Sequence, residues 1–200
     1  MDNKITTIAI ALVLGVLILS GCENAATQAG EEWKVYRNDM YGYSFEYPSD
    51  CTLGPLPGDC KKKPPEERSP ECLCYLNAEN PGSVSLGKHH GEADKLTLAG
   101  LFVSHHDTPV FNPPPGKELV PWFNENFAER YEEFPAEPNM EIDGIQAMRI
   151  YSPQSPMAPS FEDIYFIKND ILFQINLLDV DDNYNRELYD QLLSTFSFEE

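Results

Sequence analysis

Two clusters of side chains carry most of the chemistry open to this chain. Cys51, Cys60, Cys72 and Cys74 fall within 24 residues, and His89, His90, His105 and His106, followed by Asp107, fall just after them. Four cysteines this close can form two disulfides, in any of three pairings, or bind a metal as thiolates. Eight, eleven and then one residue separate them, whereas structural zinc sites use knuckles of roughly two to four. Oxidation is the better reading. If Cys72-Leu73-Cys74 is extended, both thiols point to one face and a bridge between them is strained. Cys51 and Cys60 then each reach one member of that pair.

Neutral imidazole is a common transition-metal ligand, so the four histidines and Asp107 are a candidate zinc or copper set. Adjacent residues on a strand face opposite ways, so each pair offers one ligand to a given site. Exposed polar strand ends are the plainer reading. Ser104, His105 and Asp107 have the residue types of a nucleophilic triad, but triad members meet through folding rather than as sequence neighbours. Asp179-Val180-Asp181-Asp182-Asn183, with Asp190, partly follows a calcium loop with oxygens at alternate positions. The turn glycine is replaced by Tyr184, and Asp181 or Asp182 as a helix N-cap explains the same residues.

These residues need elements to hold them. Tyr41, Tyr43, Phe45 and Tyr47 alternate with Gly42, Ser44 and Glu46, which predicts a half-buried strand stopped by Pro48. Trp33 to Tyr36 begins the domain. Cys51 to Pro81 carries five prolines by Pro70 and the lysine run Lys61-Lys62-Lys63, and reads as a long loop that disulfides must staple. Val84 to Leu86 and Leu96 to Val103 are strands, each leading into a histidine pair. Leu119, Phe123, Phe127 and Tyr131 recur every four residues on an amphipathic helix, with Pro121 tolerated in its first turn. Asp143-Gly144 and Asn169-Asp170 mark two hairpins, joined through the Pro-rich loop Ser152 to Ser160. Tyr184, Leu188 and Leu192 line a closing helix, and Phe196 and Phe198 face inward from a last strand.

The amino terminus sets the compartment. An apolar run of 15 residues, Ile5 to Leu19, is shorter than the roughly 20 needed to span a bilayer and ends in small residues, as a signal peptide does. It leads into Leu19-Ser20-Gly21-Cys22, which resembles the lipobox of bacterial lipoproteins. The resemblance implies acylation of the Cys22 thiol and cleavage before it, leaving 1–21 as signal peptide. Single-chain anchoring is marginal, and a lipoprotein cysteine carries two or more acyl chains. Residues 22–32 are small, polar and acidic, and read as a flexible tether to a domain over 33–200. Outside the cytosol disulfides persist, which favours the oxidised reading of the insert 51–82.

Loss of residues 1–21 removes one lysine and one aspartate from the 14 basic and 33 acidic residues, so the net charge stays at −19. Such a charge repels nucleic acid and anionic head groups.

A second resemblance covers the domain's two ends. Tyr36-Arg37-Asn38, then Tyr41-Gly42-Tyr43-Ser44-Phe45-Glu46-Tyr47-Pro48-Ser49-Asp50, resembles the opening of PsbP-like lipoproteins of bacteria and archaea. Tyr189-Asp190-Gln191-Leu192-Leu193-Ser194-Thr195-Phe196-Ser197-Phe198 resembles their closing helix and strand. Many members have tryptophan where this chain has Cys51. The resemblance implies an α+β fold, an antiparallel sheet with packed helices in an α/β/α sandwich, here with a disulfide-stapled insert.

The function expected is a non-catalytic, lipid-anchored, extracytoplasmic binding or accessory module. Its partners are the membrane, through Cys22, and an envelope protein; no cofactor and no nucleic acid are expected. One alternative is an envelope module that binds zinc, copper or calcium. A second is a hydrolase, against which stands the absence of a Gly-x-Ser-x-Gly elbow, a paired-histidine metalloprotease helix and a phosphate loop.

Overall fold

A computed structural model describes residues 32–55, 58, 60, 64, 67–90, 95–103, 113–127, 135 and 137–199. Side chains at 71, 90, 95–97, 102, 103 and 127 are outside that description. Elements follow in chain order as β1 Trp33–Asn38, β2 Tyr43–Pro48, β3 Thr52–Leu53, α1 Pro70–Leu73, β4 Cys74–Asn80, β5 Ser83–His90 and β6 Lys95–Val103. Then come α2 Leu119–Phe127, β7 Met140–Ile142, β8 Ile145–Ser152, β9 Phe161–Lys168, β10 Ile171–Leu178, α3 Asn183–Thr195 and β11 Ser197–Phe198. The fold is mixed α+β and mostly sheet.

Turn chemistry builds the antiparallel pairs. Asp143 and Gly144 take φ of 49° and 72°, and Asn169 and Asp170 take 52° and 61°. Both positive values in a two-residue turn match the right-handed twist of the flanking strands. Ile142 therefore faces Ile145, and Lys168 faces Ile171. The β1–β2 hairpin closes differently. Buried Asn38 accepts from the Met40 and Tyr41 amides, and its amide group donates to the Tyr43 hydroxyl and to the Pro81 carbonyl. Tyr41 and Gly42 thus lie in the turn, and the strand expected from Tyr41 starts at Tyr43.

Two sheets form. The larger runs β3-β4-β5-β6-β10-β9-β8-β7, antiparallel except for the short β3–β4 pair; the smaller is β1-β2-β11. Alternation along the strands splits the larger sheet into two apolar faces. On one, Leu76, Leu86, Ile164, Phe166, Phe173, Ile175 and Leu177 pack with Tyr43, Phe45 and Phe196 of the small sheet region and with Leu188, Tyr189 and Leu192 of α3. Phe166 stacks on Phe173 at 5.1 Å and Tyr43 on Phe196 at 5.4 Å, separations at which aromatic pairs attract beyond their area burial. On the other face, Met148, Ile150, Tyr165 and Leu172 receive Leu119, Trp122 and Phe123 of α2, with Phe123 and Tyr165 rings 4.7 Å apart. The layers are small sheet with α3, large sheet, then α2.

The structure corrects the expected 51–82 loop. Cys74–Asn80 is a full strand with Tyr75 and Leu76 buried, and Thr52–Leu53 pairs beside it. Prolines on its amino-terminal side hid this run, and its partner β5 is supplied only by folding. Cys72-Leu73-Cys74 is not one strand either. Pro70 starts the short α1, where its fixed φ suits a first helical residue, so Cys72 is helical and Cys74 opens β4. In α3 the innermost aromatic is Tyr189, fully buried, while Tyr184 is half-buried. Tyr131 and Lys61-Lys62-Lys63 lie outside the described residues, as does the side chain of Phe127.

Candidate functional site

The cysteines pair as Cys51–Cys74 and Cys60–Cys72, with Cα–Cα separations of 4.4 and 5.3 Å. Cys51 follows β2 and Cys74 opens β4, so the first bridge ties the small sheet to the large one. All four side chains are buried. One of Cys51 and Cys60 joins each member of the Cys72, Cys74 pair, although the two thiols sit on different elements. Asp50, Cys51 and Cys74 put their donor atoms within 4.8 Å of one another, and no other such group of three occurs among the described residues. Here the sulfurs are consumed by the bridge, and Lys88 Nζ stands 3.3 Å from Asp50 Oδ1. An ammonium already faces the carboxylate that a cation would need. The tetrad forms two staples rather than a four-thiolate cage.

Lys88 itself was not foreseen. It is 6 % exposed, pairs across the ladder with Cys74, and lies 6.0 Å from the Tyr184 ring centre. Its parity is readable in the sequence: Val84, Leu86 and Lys88 share one face, and the first two are core. Burying a charge demands a partner, and Asp50 supplies one from the turn after β2.

Of the expected metal set, the structure describes His89 and the backbone of His90. Arg68 Nη1 donates to His89 Nδ1 at 3.1 Å, because a guanidinium has no lone pair to accept with. That contact occupies one of the two ring nitrogens. His89 pairs with Leu96 at the start of β6, and β6 ends at Val103, roughly 23 Å away at strand rise. The two histidine pairs are therefore attached at opposite ends of one strand. The side chain of His90, and all of Ser104, His105, His106 and Asp107, lie outside the described residues, as does Cys22, the expected lipidation site.

The acidic run after β10 caps a helix. Asp182 Oδ1 accepts from the Tyr184 and Asn185 amides, and the buried Asn185 amide group donates to the Asp179 carbonyl at 3.0 Å. Asp181 accepts from the Tyr151 hydroxyl at 3.1 Å. Of the acidic side chains in that run, Asp182 is spent on the cap and Asp181 on the Tyr151 hydroxyl.

Two further polar groups were missed. Glu162, 5 % exposed, accepts from Arg149 Nε at 2.6 Å and from both terminal nitrogens of Arg186 at 2.9 and 3.1 Å. This carboxylate locks α3 to β8 and β9, and its hydrogen bonds hold the Arg186 guanidinium above its ordinary pKa. On the opposite sheet face, buried Asp163 accepts from Gln174 and Asn176, each at 2.9 Å. Asn77, Ser85, Gly100, Asn176 and Asp163 are successive ladder partners across five strands. Both groups sit in segments whose apolar neighbours dominate the pattern.

A groove of about 710 Å³ opens where α2 begins. Leu119, Val120, Pro121, Pro138, Ile145 and Ile167 line it, with Lys117, Glu118 and Glu137 among its polar residues. It offers apolar surface, and among the described residues no histidine, cysteine or serine lines it.

No protein-family model matches the chain, and no curated protein matches it in sequence. No helix among the described residues is long and apolar enough to cross a membrane.

Proposed function

We propose that this protein is a lipid-anchored, non-catalytic lipoprotein with a PsbP-like domain of the α/β/α type, acting as a binding or accessory module on the outer face of a membrane. The observation that carries the reading is Leu19-Ser20-Gly21-Cys22 placed directly after a 15-residue apolar run. Two structural features support it. The segments that resemble the family's opening and ending are neighbours in one sheet, where Tyr43 pairs with Phe198 and Ser44 with Ser197. The cysteines of the insert are oxidised, as a location outside the cytosol permits. The polar groups described above hold elements together, and the groove beside α2 is lined mostly by apolar side chains, which suits binding better than turnover.

The test is expression of the full chain in a bacterium that processes lipoproteins, followed by fractionation, intact mass and crosslinking. Loss of residues 1–21, a diacylglyceryl mass on Cys22 and release by Cys22→Ser are the expected results, with one envelope protein recovered reproducibly by crosslinking. Retention of Met1 to Gly21, or membrane association unchanged by Cys22→Ser, would overturn the anchor. Hydrolysis of an ester, peptide or glycoside by the purified domain would overturn the non-catalytic part.

A further inference from the structure

One end of the domain gathers the point where the chain enters and an uncharged, protruding loop. The Ser49 amide donates to the Glu32 carbonyl, which places the first described residue beside the end of β2. Asp50 follows, bound to Lys88, and Lys88 lies by Tyr184 in the first turn of α3. From the same turn region, the Asp179 amide donates to the Ser160 carbonyl, and Asp181 holds Tyr151. Ser160 ends the β8–β9 connection. The two tight hairpins, at Asp143-Gly144 and Asn169-Asp170, lie at the other end of the same strands.

That connection is unlike the rest of the molecule. In a chain of net charge −19, residues 152–160 carry no charge, and Pro153 to Pro159 are all exposed. Met157 at its tip is 97 % exposed, and Tyr151 at its base 48 %. The loop is nonetheless built. Ser155 bridges Ala158, and the Ser155 hydroxyl accepts from the Met157 and Ala158 amides. Three prolines restrict it further. An exposed methionine on a stiffened tip loses little conformational freedom on contact beyond that of its own side chain.

We propose that this loop seats Met157 in the interfacial region of the bilayer to which the protein is tethered. The inference rests on the lipid anchor proposed above. Cys22 lies only ten residues before Glu32, so the end bearing Glu32 is the end nearest the proposed anchor. Asp179 and Asp181 contact the base of the loop, and Asp50 and Asp182 lie at the same end of the domain. Two residues separate Met157 from Ser160 at the base, so the tip stands at most about 10 Å beyond it. The uncharged tip can enter the interface while the carboxylates stay on its aqueous side.

The probe is Met157→Trp in the acylated full chain, reconstituted in phosphatidylcholine vesicles with and without bromine on the acyl chains. A ring seated roughly 5–10 Å into the interface should show blue-shifted emission and about twofold quenching by brominated lipid, after subtraction of the native signal from Trp33 and Trp122. A vesicle-bound chain whose added tryptophan is neither shifted nor quenched overturns the loop's role while leaving the anchor intact. A chain that does not float with the vesicles overturns both. Quenching that disappears when an envelope protein is added back assigns the tip to that protein instead, and the proposal fails.

Discussion

Cys51→Ala/Cys74→Ala is the most quantitative perturbation, because the two bridges are nested. A cross-link over n residues lowers the entropy of the unfolded chain by roughly 2.1 + 1.5R ln n cal/mol/K. The Cys51–Cys74 separation of 23 corresponds to about 3.4 kcal/mol at 25 °C, and the Cys60–Cys72 separation of 12 to about 2.8. With the inner bridge closed, the outer path skips those 12 residues and retains about 11, so the outer bridge then contributes about 2.8 rather than 3.4 kcal/mol. Removing both should cost about 5.6 kcal/mol, below the sum of the separate values. The assay is urea unfolding of residues 23–200, of each double-alanine pair in that chain, and of all four cysteines replaced. A coupling of about 0.6 kcal/mol between the pairs is the nested-loop signature. Loss of under about 1 kcal/mol for the outer pair, or a cycle in which the outer bridge is worth more when the inner one is closed, would refute the reasoning.

Three other outcomes follow from buried polar groups and one close approach. Burial pushes the Tyr43 and Tyr189 phenols up from an ordinary 10.0, so the folded state keeps protons that the unfolded chain releases. Their contribution is complete below pH 10 and should fall above it by about 2.7 kcal/mol per pH unit for the two together. Urea midpoints between pH 9 and 11.5 check this, and Tyr43→Phe should lower the slope by about 1.4 kcal/mol per pH unit; an unchanged slope sinks the assignment. Glu162→Gln leaves Arg149 and Arg186 facing a neutral amide. It should cost about 2 kcal/mol, less than the roughly 3–5 of a fully buried pair, because those arginine side chains are 32 % and 31 % exposed. A loss below about half a kcal/mol in urea unfolding would show that the carboxylate is not what ties α3 to the sheet. A Cβ at Gly87 would lie 2.4 Å from the Tyr75 ring. Gly87→Ala should therefore cost about 1–3 kcal/mol, and much less when made in a Tyr75→Ala background, since the three nearest atoms all belong to that side chain. Equal costs in the two backgrounds would place the strain elsewhere.

Much of this architecture was legible before folding, for local reasons. The Asp143-Gly144 and Asn169-Asp170 turns, the closing helix capped at Asp182, and the inward Phe45, Phe196 and Phe198 depend on dihedral preference and side-chain period, which neighbouring residues set. Oxidation of the cysteines was legible from their spacing, which departs from that of zinc knuckles. Other features depend on partners distant in the chain. Tyr75-Leu76 became a strand because β5 lies beside it, despite the prolines before it. Lys88 is buried because Asp50, 38 residues earlier, arrives from another sheet. Glu162 is satisfied by guanidinium groups of β8 and α3, 13 and 24 residues away. That the opening and ending segments share a sheet is likewise a matter of long-range pairing. Composition and period state which residues seek burial or charge neutralisation. Only the closed chain decides which partner, from which strand, meets each of them.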